Sequence, residues 1–446
     1  MSRPAAAGTE DSGESTRRLR GRVQTMLTYA DQAADPRPLV GLLEEVSDRL
    51  GADSPLALLV EYTVEELRSR TRSVAESARV WDDLHVRADS SLDRRDTTLM
   101  SIKALHARYV RLSGDPVDRD AAVQSYEVEW RRRLAILGAR AHRTSTAHAN
   151  LATALRERGT SDDLRRACVI ARQEISVRLA VWGPEHSFTW IPQIILAQCL
   201  LKAAERAVPR QAAGSGPVDP EAIRLGPDSV LRPAGAGQAG AADGAGGGSG
   251  GEGPGGYPGV TRDDLARPGA DLVAEGRSLA EAVVAARQDR FGPSSGATLR
   301  AQLVRAHALL LAEEPAAAVA EIRYVLATNR RTGANLDPGW PELLLARALL
   351  AAGLASGDGS LDDAVRQARA AVEARLGRYP AGTERVAEAE RFEQEARRLA
   401  SQAPRPPATA EAGSAPGAAT PADGVTQVTD QADYGHDHSL GAGGDG

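Results

Sequence analysis

The sequence predicts an all-α protein, a right-handed α-solenoid of about six helical hairpins between residues 38 and 400. The main observation is a glycine followed six residues later by a threonine, first as Gly138 with Thr144 and again as Gly183 with Thr189. Each glycine ends an Arg-Leu-Ala-x-x-Gly segment, and a Leu-Ala pair follows each threonine at the same distance. A repeat of this length is typical of solenoids, in which stacked hairpins share one continuous core.

The same register extends toward both ends of the chain. Its marks are Gly51, Leu92, Gly138, Gly183, Gly292, Gly333 and Gly377. Neighbouring marks lie 41 to 46 residues apart, apart from one interval of 109 residues that indicates an insertion within one repeat.

The composition places that insertion. Residues 207–268 are mostly Gly, Ala, Pro and Ser, which cannot bury enough apolar surface to offset their ordering entropy. We therefore expect a flexible insertion there, flanked by helical repeats at 15–206 and at 269–402, the latter ending in a capping helix. Residues 1–14 and 403–446 are expected to be disordered. The favoured interpretation is one solenoid interrupted by a loop, and two separate domains are the alternative.

The residues at each register mark also predict local structure. A glycine just past a helix end favours a left-handed C-cap, and Pro184 and Pro293 prevent the helix from continuing. Thr144, Thr189 and Thr298 stand where a hydroxyl can cap the N–H groups of the next helix. These roles are structural rather than functional.

The motif resembles tetratricopeptide repeats (TPR), in particular the longer variant of the kinesin light chains, whose consensus is Leu-Gly-Pro-Asp-His-Pro-Asp-Thr-Leu before an Asn-Asn-Leu-Ala helix. Residues 50–55, 149–152 and 182–186 carry the resemblance. It implies a concave groove, lined by the first helix of each hairpin, that binds a peptide or a partner protein. In this family, asparagines near the groove hold the backbone of the bound peptide, and Asn150 occupies the second place of that asparagine pair.

Helical spacing adds further candidates for partner binding. Thr153, Gln198 and His307 each lie fifteen residues after a register glycine, and they are polar on helices that are otherwise apolar. Thr146 and Asn150 fall on roughly the same helical face as Thr153. The predicted partner-binding residues are therefore Thr146, Asn150, Thr153, Gln198 and His307, with simple solvation of these side chains as the alternative.

Charge is distributed unevenly. Residues 97–206 contain 17 Lys or Arg against 11 Asp or Glu, whereas the whole chain has a net charge of −6. This basic region raises the alternative of a regulatory protein that contacts nucleic acid. However, acidic residues are interleaved throughout, which favours a solvated helix surface. Arginine dominates the basic residues, since only Lys103 and Lys202 are lysine, and this bias is typical of a high-GC, bacterial genome.

The sequence contains no nucleophile elbow and no phosphate-binding loop. His142, His148 and His186 are not spaced from one another, or from acidic residues and cysteines, as metal ligands are. No catalytic residue, cofactor or metal is predicted, although an enzyme with an unrecognised groove site stays open. The start of the chain does not resemble a signal peptide, and no apolar run is long enough for a membrane span, so a cytoplasmic location is expected. Cys168 and Cys199 are predicted to be reduced core residues. The favoured function is a non-catalytic protein-interaction scaffold.

Overall fold

The computed structural model describes residues 9–33, 35–114, 116–207, 268–334, 336–356 and 360–402. All regular structure in these ranges is helical. The helices are α1 (Thr9–Ala33), α2 (Arg37–Leu50), α3 (Pro55–Arg68), α4 (Val74–Ser91), α5 (Thr97–Ser113), α6 (Pro116–Leu137), α7 (His142–Arg158), α8 (Ser161–Trp182), α9 (Ser187–Ala207), α10 (Gly269–Phe291), α11 (Gly296–Leu311), α12 (Pro315–Thr332), α13 (Trp340–Ser356), α14 (Ser360–Leu376) and α15 (Glu384–Gln402).

The helices form six hairpins, as the repeat register predicts. The hairpins are α3–α4, α5–α6, α7–α8, α9–α10, α11–α12 and α13–α14. From α4 to α15, each helix packs extensively against the next one in the chain, whereas α3 and α4 make a smaller contact. Helices α1 and α2 precede the first hairpin, and α15 packs on α14 after the last one. We call the leading helix of each hairpin, together with α15, a first helix, and its partner a second helix.

Local sequence explains several helix starts. Ser73 and Glu76 form a reciprocal capping box at the start of α4, and Thr160 and Asp163 form another at the start of α8. The hydroxyl of Ser295 caps α11 by accepting from the backbone N–H of Thr298. Each cap satisfies N–H groups that have no partner within their own helix.

The junctions between hairpins differ in two details from the prediction. Gly183 and Gly292 have φ values of 82° and 83°, which favour glycine, but their ψ values of 172° and 164° are extended rather than those of a left-handed cap. The threonines do not cap N–H groups either. The hydroxyls of Thr189 and Thr298 instead donate to the carbonyls of Gly183 and Gly292, at 2.8 and 2.9 Å, because each threonine lies inside the first turn of its helix.

A buried arginine recurs at four junctions, near the end of the second helix. Each donates through Nη1 to the carbonyl ten residues ahead, in the first turn of the next first helix. The pairs are Arg133 with Arg143, Arg178 with Phe188, Arg287 with Ala297 and Arg375 with Arg385. All four arginines are less than 10% exposed. We call them the junction arginines.

Arg178 has an additional role because α9 contains Pro192. Proline has no N–H, so the carbonyl four residues earlier, that of Phe188, has no helical partner. Arg178 Nη1 supplies the missing hydrogen bond at 2.6 Å, and its Nη2 donates to the carbonyl of Ser145 at 3.1 Å. The arginine thereby connects three consecutive helices, α7, α8 and α9.

Two register marks are displaced in the structure. In the junctions at Gly51, Gly138, Gly183 and Gly292 the next helix begins four residues later, whereas α13 and α15 begin seven residues after Gly333 and Gly377. The pairing of Arg375 with Arg385 places Pro380, not Gly377, at the position of the glycine. Gly377 is found where α14 ends, and three additional residues follow before the common register resumes.

Helices α9 and α10 pack against each other although they are separated by the predicted insertion. The backbone of Gly276 approaches the side chain of Leu201 so closely that an added Cβ would lie 3.1 Å from it. Leu201 and Leu272 belong to the same apolar core, and Arg172 on α8 pairs with Glu275 on α10 at 2.9 Å. The hairpin α9–α10 is therefore formed in the same way as its neighbours.

The predicted disordered N-terminal segment is partly helical in the structure. Helix α1 begins at Thr9, so part of the segment 1–14 is helical where the composition predicts disorder. Residues 9–14 contain no proline that would interrupt a helix. Further along, buried Leu19, Val23 and Leu27 hold α1 against the rest of the protein. The predicted insertion and C-terminal tail lie outside the described residues, except for their flanking positions Ala207 and Pro268.

Candidate functional site

Charged side chains from six first helices meet on one side of the solenoid, and we call this set the inner surface. Its members lie on α5, α7, α9, α11, α13 and α15 or directly beside them, and they pair with residues of other hairpins. They are Arg111, Arg156, Glu157, Lys202, Glu205, His307, Asp337, Arg347, Arg375, Arg385 and Glu388.

Glu157, near the end of α7, is the centre of one group. Its carboxylate pairs with Arg111 of α5, with Arg385 of α15 at 3.1 Å and with Arg156 at 3.6 Å. Burial raises the pKa of Glu157, but the guanidinium groups of Arg111 and Arg385 lower it by more, so the net pKa lies well below its usual range. Because Arg385 also pairs with Asp337 at 2.6 Å, this group joins α7 to the last hairpin.

Glu205 and Glu388 form a second group further along the inner surface. Glu205 of α9 accepts from His307 of α11 at 2.7 Å and lies 3.9 Å from Arg347 of α13. Glu388 of α15 binds Arg347 at 2.7 Å and Arg375 at 2.9 Å. Burial raises the pKa of Glu388, whereas Arg347 and Arg375 lower it, to a net value of about 2.

The two ends of the solenoid touch at a contact that we call the seam, formed by residues 378–386 against the ends of α3, α4 and α5. The backbone N–H of Val74 donates to the carbonyl of Arg378 at 3.0 Å, and Arg378 Nη2 donates to the carbonyl of Ser69 at 3.0 Å. Tyr379 and Val386 are buried in the core of the first two hairpins. The chain therefore closes on itself, and the inner surface lies inside this closure.

The five predicted partner-binding residues have three different environments. Gln198 and His307 take part in the inner surface, where Gln198 accepts from Arg156 and His307 binds Glu205. The hydroxyls of Thr146 and Thr153 donate to backbone carbonyls of their own helix, at 3.0 and 3.1 Å. Asn150 is half-buried on the same face of α7, and its amide has no hydrogen-bond partner among the described residues.

Sequence reasoning did not find most of the inner surface. Arg111 and Glu157 occupy equivalent positions, thirteen residues after Thr98 and Thr144, but their opposite charges gave no repeated pattern to detect. Arg347, Arg375, Arg385 and Glu388 lie in the outer repeats, where the register is weak. The pairing of α7 with α15 joins residues 228 positions apart, and no local signal predicts such a contact.

Several arginines of the basic region 97–206 form ion pairs. Arg131 pairs with Glu127, Arg158 with Asp120 and Asp163, and Arg165 with Asp162. These arginines are therefore engaged with carboxylates of the protein itself and less available to a phosphate backbone.

The cysteines, the metal-binding side chains and the apolar helices were also predicted from the sequence. Cys168 and Cys199 are free and buried in the core of α7–α11. Within the described ranges, no group of three or more His, Cys, Asp or Glu side chains is arranged to hold a metal ion. None of the described helices combines the length and apolar character needed to cross a membrane.

Comparison with known proteins gives structural similarity only. No protein-family model matches the sequence, and no curated protein sequence matches it. Two solved structures of a Podosopora anserina putative kinesin light chain with nearly identical TPR-like repeats, one of them a point variant, are similar to the chain at 13% identity and a TM-score of 0.37. The two alignments span 61% and 62% of this chain. They span 94% and 96% of the respective solved structures. The fold itself follows from the helix order and packing described above: the chain is an all-α solenoid built from helical hairpins.

Proposed function

We propose that the protein is a non-catalytic interaction scaffold that binds a peptide or a segment of a partner protein along its inner surface. The observation that carries this proposal is the half-buried amide of Asn150, which has no hydrogen-bond partner among the described residues. A half-buried amide without a protein partner is bonded to water, and a ligand can replace that water. Solenoids generally use such extended inner faces for recognition.

The pattern of side chains around Asn150 suits an extended segment. Thr146, Asn150, Thr153 and Glu157 follow one another on a single face of α7 at helical spacing. Gln198 and Lys202 continue the polar surface on α9. The backbone of a peptide bound along these helices would therefore contact the amides of Asn150 and Gln198, and its next residues would meet Glu157 and Lys202.

A protein partner is favoured over nucleic acid because several arginines of region 97–206 are paired with carboxylates. Catalysis is not favoured either. Arginines hold Glu157 and Glu388 ionised to low pH, whereas a general acid or base works best with a pKa near the operating pH.

The test is affinity capture of partners from the native cell. We expect the double variant Asn150→Ala/Gln198→Ala to lose about tenfold or more of a partner that the wild type captures, since two hydrogen bonds disappear. A matched control is Gln124→Ala/Ser125→Ala, which changes two exposed polar residues on the second helix α6. Equal capture by the wild type and the inner-surface variant contradicts the proposal.

A further inference from the structure

The two cysteines of the chain, Cys168 and Cys199, lie on neighbouring helices. Helices α8 and α9 are joined by a short turn and pack along their lengths, so they run antiparallel. Arg178 binds the carbonyl of Phe188 across this pair. Cys168 lies ten residues before Arg178, and Cys199 lies eleven residues after Phe188. Because the rise per residue is the same in both helices, the two cysteines stand at the same level.

Both cysteine side chains point into the same core, and their thiols are hydrogen-bonded to each other. The side chains around them on the two helices are small: Ala167, Ala171 and Ala197 are at most 1% exposed. Small side chains let two helices approach closely, which a disulfide requires because its Cα atoms lie within about 7 Å of each other. Only side-chain rotation and a small helix shift then separate hydrogen-bonded thiols from a covalent bond.

The charges near Cys199 favour its thiolate. Arg156 of α7 reaches Gln198, the residue before Cys199. Lys202 stands one helical turn further along α9. Burial raises the pKa of the Cys199 thiol, but the hydrogen bond from Cys168 and the two cations lower this pKa by more.

Cys168 has the opposite setting. Its hydrogen bond to Cys199 raises the pKa of the Cys168 thiol, and burial raises this pKa further. The charges on its other side, Arg172 and Glu275, pair with each other at 2.9 Å and largely cancel. Cys199 is therefore the thiol that ionises first, and Cys168 stays protonated beside it, which is the arrangement of an attacking and a resolving cysteine.

We propose that Cys199 and Cys168 form a reversible disulfide when the protein meets a peroxide, and that this bond ties the third hairpin to the fourth. The Cys199 thiolate attacks one peroxide oxygen. An S–O bond forms, the O–O bond breaks, and the hydroxide that leaves takes up the proton that Cys199 has lost. Cys168 then attacks the sulfenic sulfur: the S–S bond forms, the S–O bond breaks, and the second hydroxide takes the Cys168 proton.

The balance is two thiols and one peroxide to one disulfide and two molecules of water, with sulfur oxidised and the peroxide oxygens reduced. Both sulfur atoms are buried, so a peroxide, which is little larger than water, reaches them through local openings of the helix packing. The bond crosses from α8 to α9 directly beside Gln198 of the inner surface. This inference goes beyond the proposed scaffold function and does not depend on it.

The test uses the purified full-length protein, first reduced and then treated with hydrogen peroxide under native conditions. We expect the free thiols counted after denaturation to fall from two per chain to near zero. The mass should decrease by two hydrogen atoms, digestion should give a linked pair of peptides, and dithiothreitol should restore both thiols. Two thiols that stay free, disulfides between chains, or a mass that increases through added oxygen would each overturn the proposal.

The order of attack is tested with Cys168→Ala and Cys199→Ala and a dimedone probe, which labels sulfenic acids. After peroxide, Cys168→Ala should carry about tenfold more label than Cys199→Ala, because its remaining thiol is the one that ionises. Equal labelling of the two folded variants overturns Cys199 as the attacking thiol. Circular dichroism checks the fold of each variant, and the wild-type thiol count needs no variant.

A matched control tests the register of the two helices. The variant Cys168→Ala/Ala171→Cys keeps two buried thiols but moves one of them by about one helical turn along α8. Its yield of disulfide within the chain should be about tenfold lower than that of the wild type, because the Cα atoms are then too far apart for a bridge. An equal yield would overturn the pairing of Cys168 with Cys199 by position.

Discussion

The junction arginines and the arginines of the inner surface are both withdrawn from water, but the partner common to each set differs, and Arg375 belongs to both sets. Each junction arginine donates to a backbone carbonyl ten residues ahead, so its partner is fixed by the repeat itself. The inner-surface arginines Arg111, Arg347 and Arg385 bind carboxylates from other hairpins. The first set stabilises the stacking of neighbours, and the second depends on the closure of the whole chain.

This difference indicates which charges the fold requires. A backbone carbonyl is present whatever residue occupies the position, so a junction arginine tolerates sequence change around it. An inner-surface arginine needs a particular carboxylate on a distant helix. Its ion pair therefore depends on the identity of that second residue and on the way the hairpins are stacked. The predictions below test this division, starting from the largest expected effect.

Arg178→Ala should lower the free energy of unfolding by about 3–5 kcal/mol, because removing one partner leaves buried groups unpaired. The carbonyls of Phe188 and Ser145 lose their donor, and Pro192 cannot replace it at Phe188. The measurement is urea unfolding followed by circular dichroism.

The matched control is Arg165→Ala on the same helix, whose side chain is 41% exposed and pairs with Asp162. It should cost no more than about 1 kcal/mol. Similar losses in the two variants would show that the junction arginine is not special.

Glu388→Gln should lower the free energy of unfolding at pH 7 by about 1–3 kcal/mol, since the folded protein holds this carboxylate ionised. Its folded pKa of about 2 is below the ordinary value of 4.5, so its contribution is complete above pH 4.5 and is lost as the pH falls toward 2. The difference between the wild type and the variant should therefore shrink over that range.

Urea unfolding at several pH values between 7 and 3 measures this difference. Glu395→Gln is the control, because Glu395 pairs with Arg398 at an exposed position of the same helix. A difference that stays constant as the pH falls would refute the assignment of Glu388 to a buried ion pair.

Gly183→Ala should cost about 1–3 kcal/mol, because its φ of 82° with a ψ of 172° is a conformation that essentially only glycine adopts, although a Cβ would meet no atom within 4 Å. Gly41→Ala, inside α2 and equally free of neighbours, should instead stabilise the protein by up to about 1 kcal/mol through helix propensity. Thermal unfolding of both variants gives the sign directly. Two shifts of the same sign would contradict the assigned role of the junction glycine.

Particular elements show how far the sequence could lead. The Gly138 and Gly183 junctions are correctly located, although their capping is not, because a tight turn and its following helix depend on residues within ten positions of each other. The marks at Gly333 and Gly377 are misplaced, because the longer connections before α13 and α15 shift the register and only packing shows where it resumes. Among the site residues, Gln198 and His307 are found on the inner surface, whereas the hydroxyls of Thr146 and Thr153 bind their own helix.

The sequence by itself determined the helical hairpins, their order and the location of the regular junctions, since these depend on periodicity and on turns that neighbouring residues specify. Only the tertiary structure decided that the chain closes at the seam and that Glu157 meets Arg385. Small rotations between successive hairpins accumulate along a solenoid, and their sum determines which distant residues meet. No single repeat encodes that sum, so the inner surface could be located only after all the hairpins had been stacked.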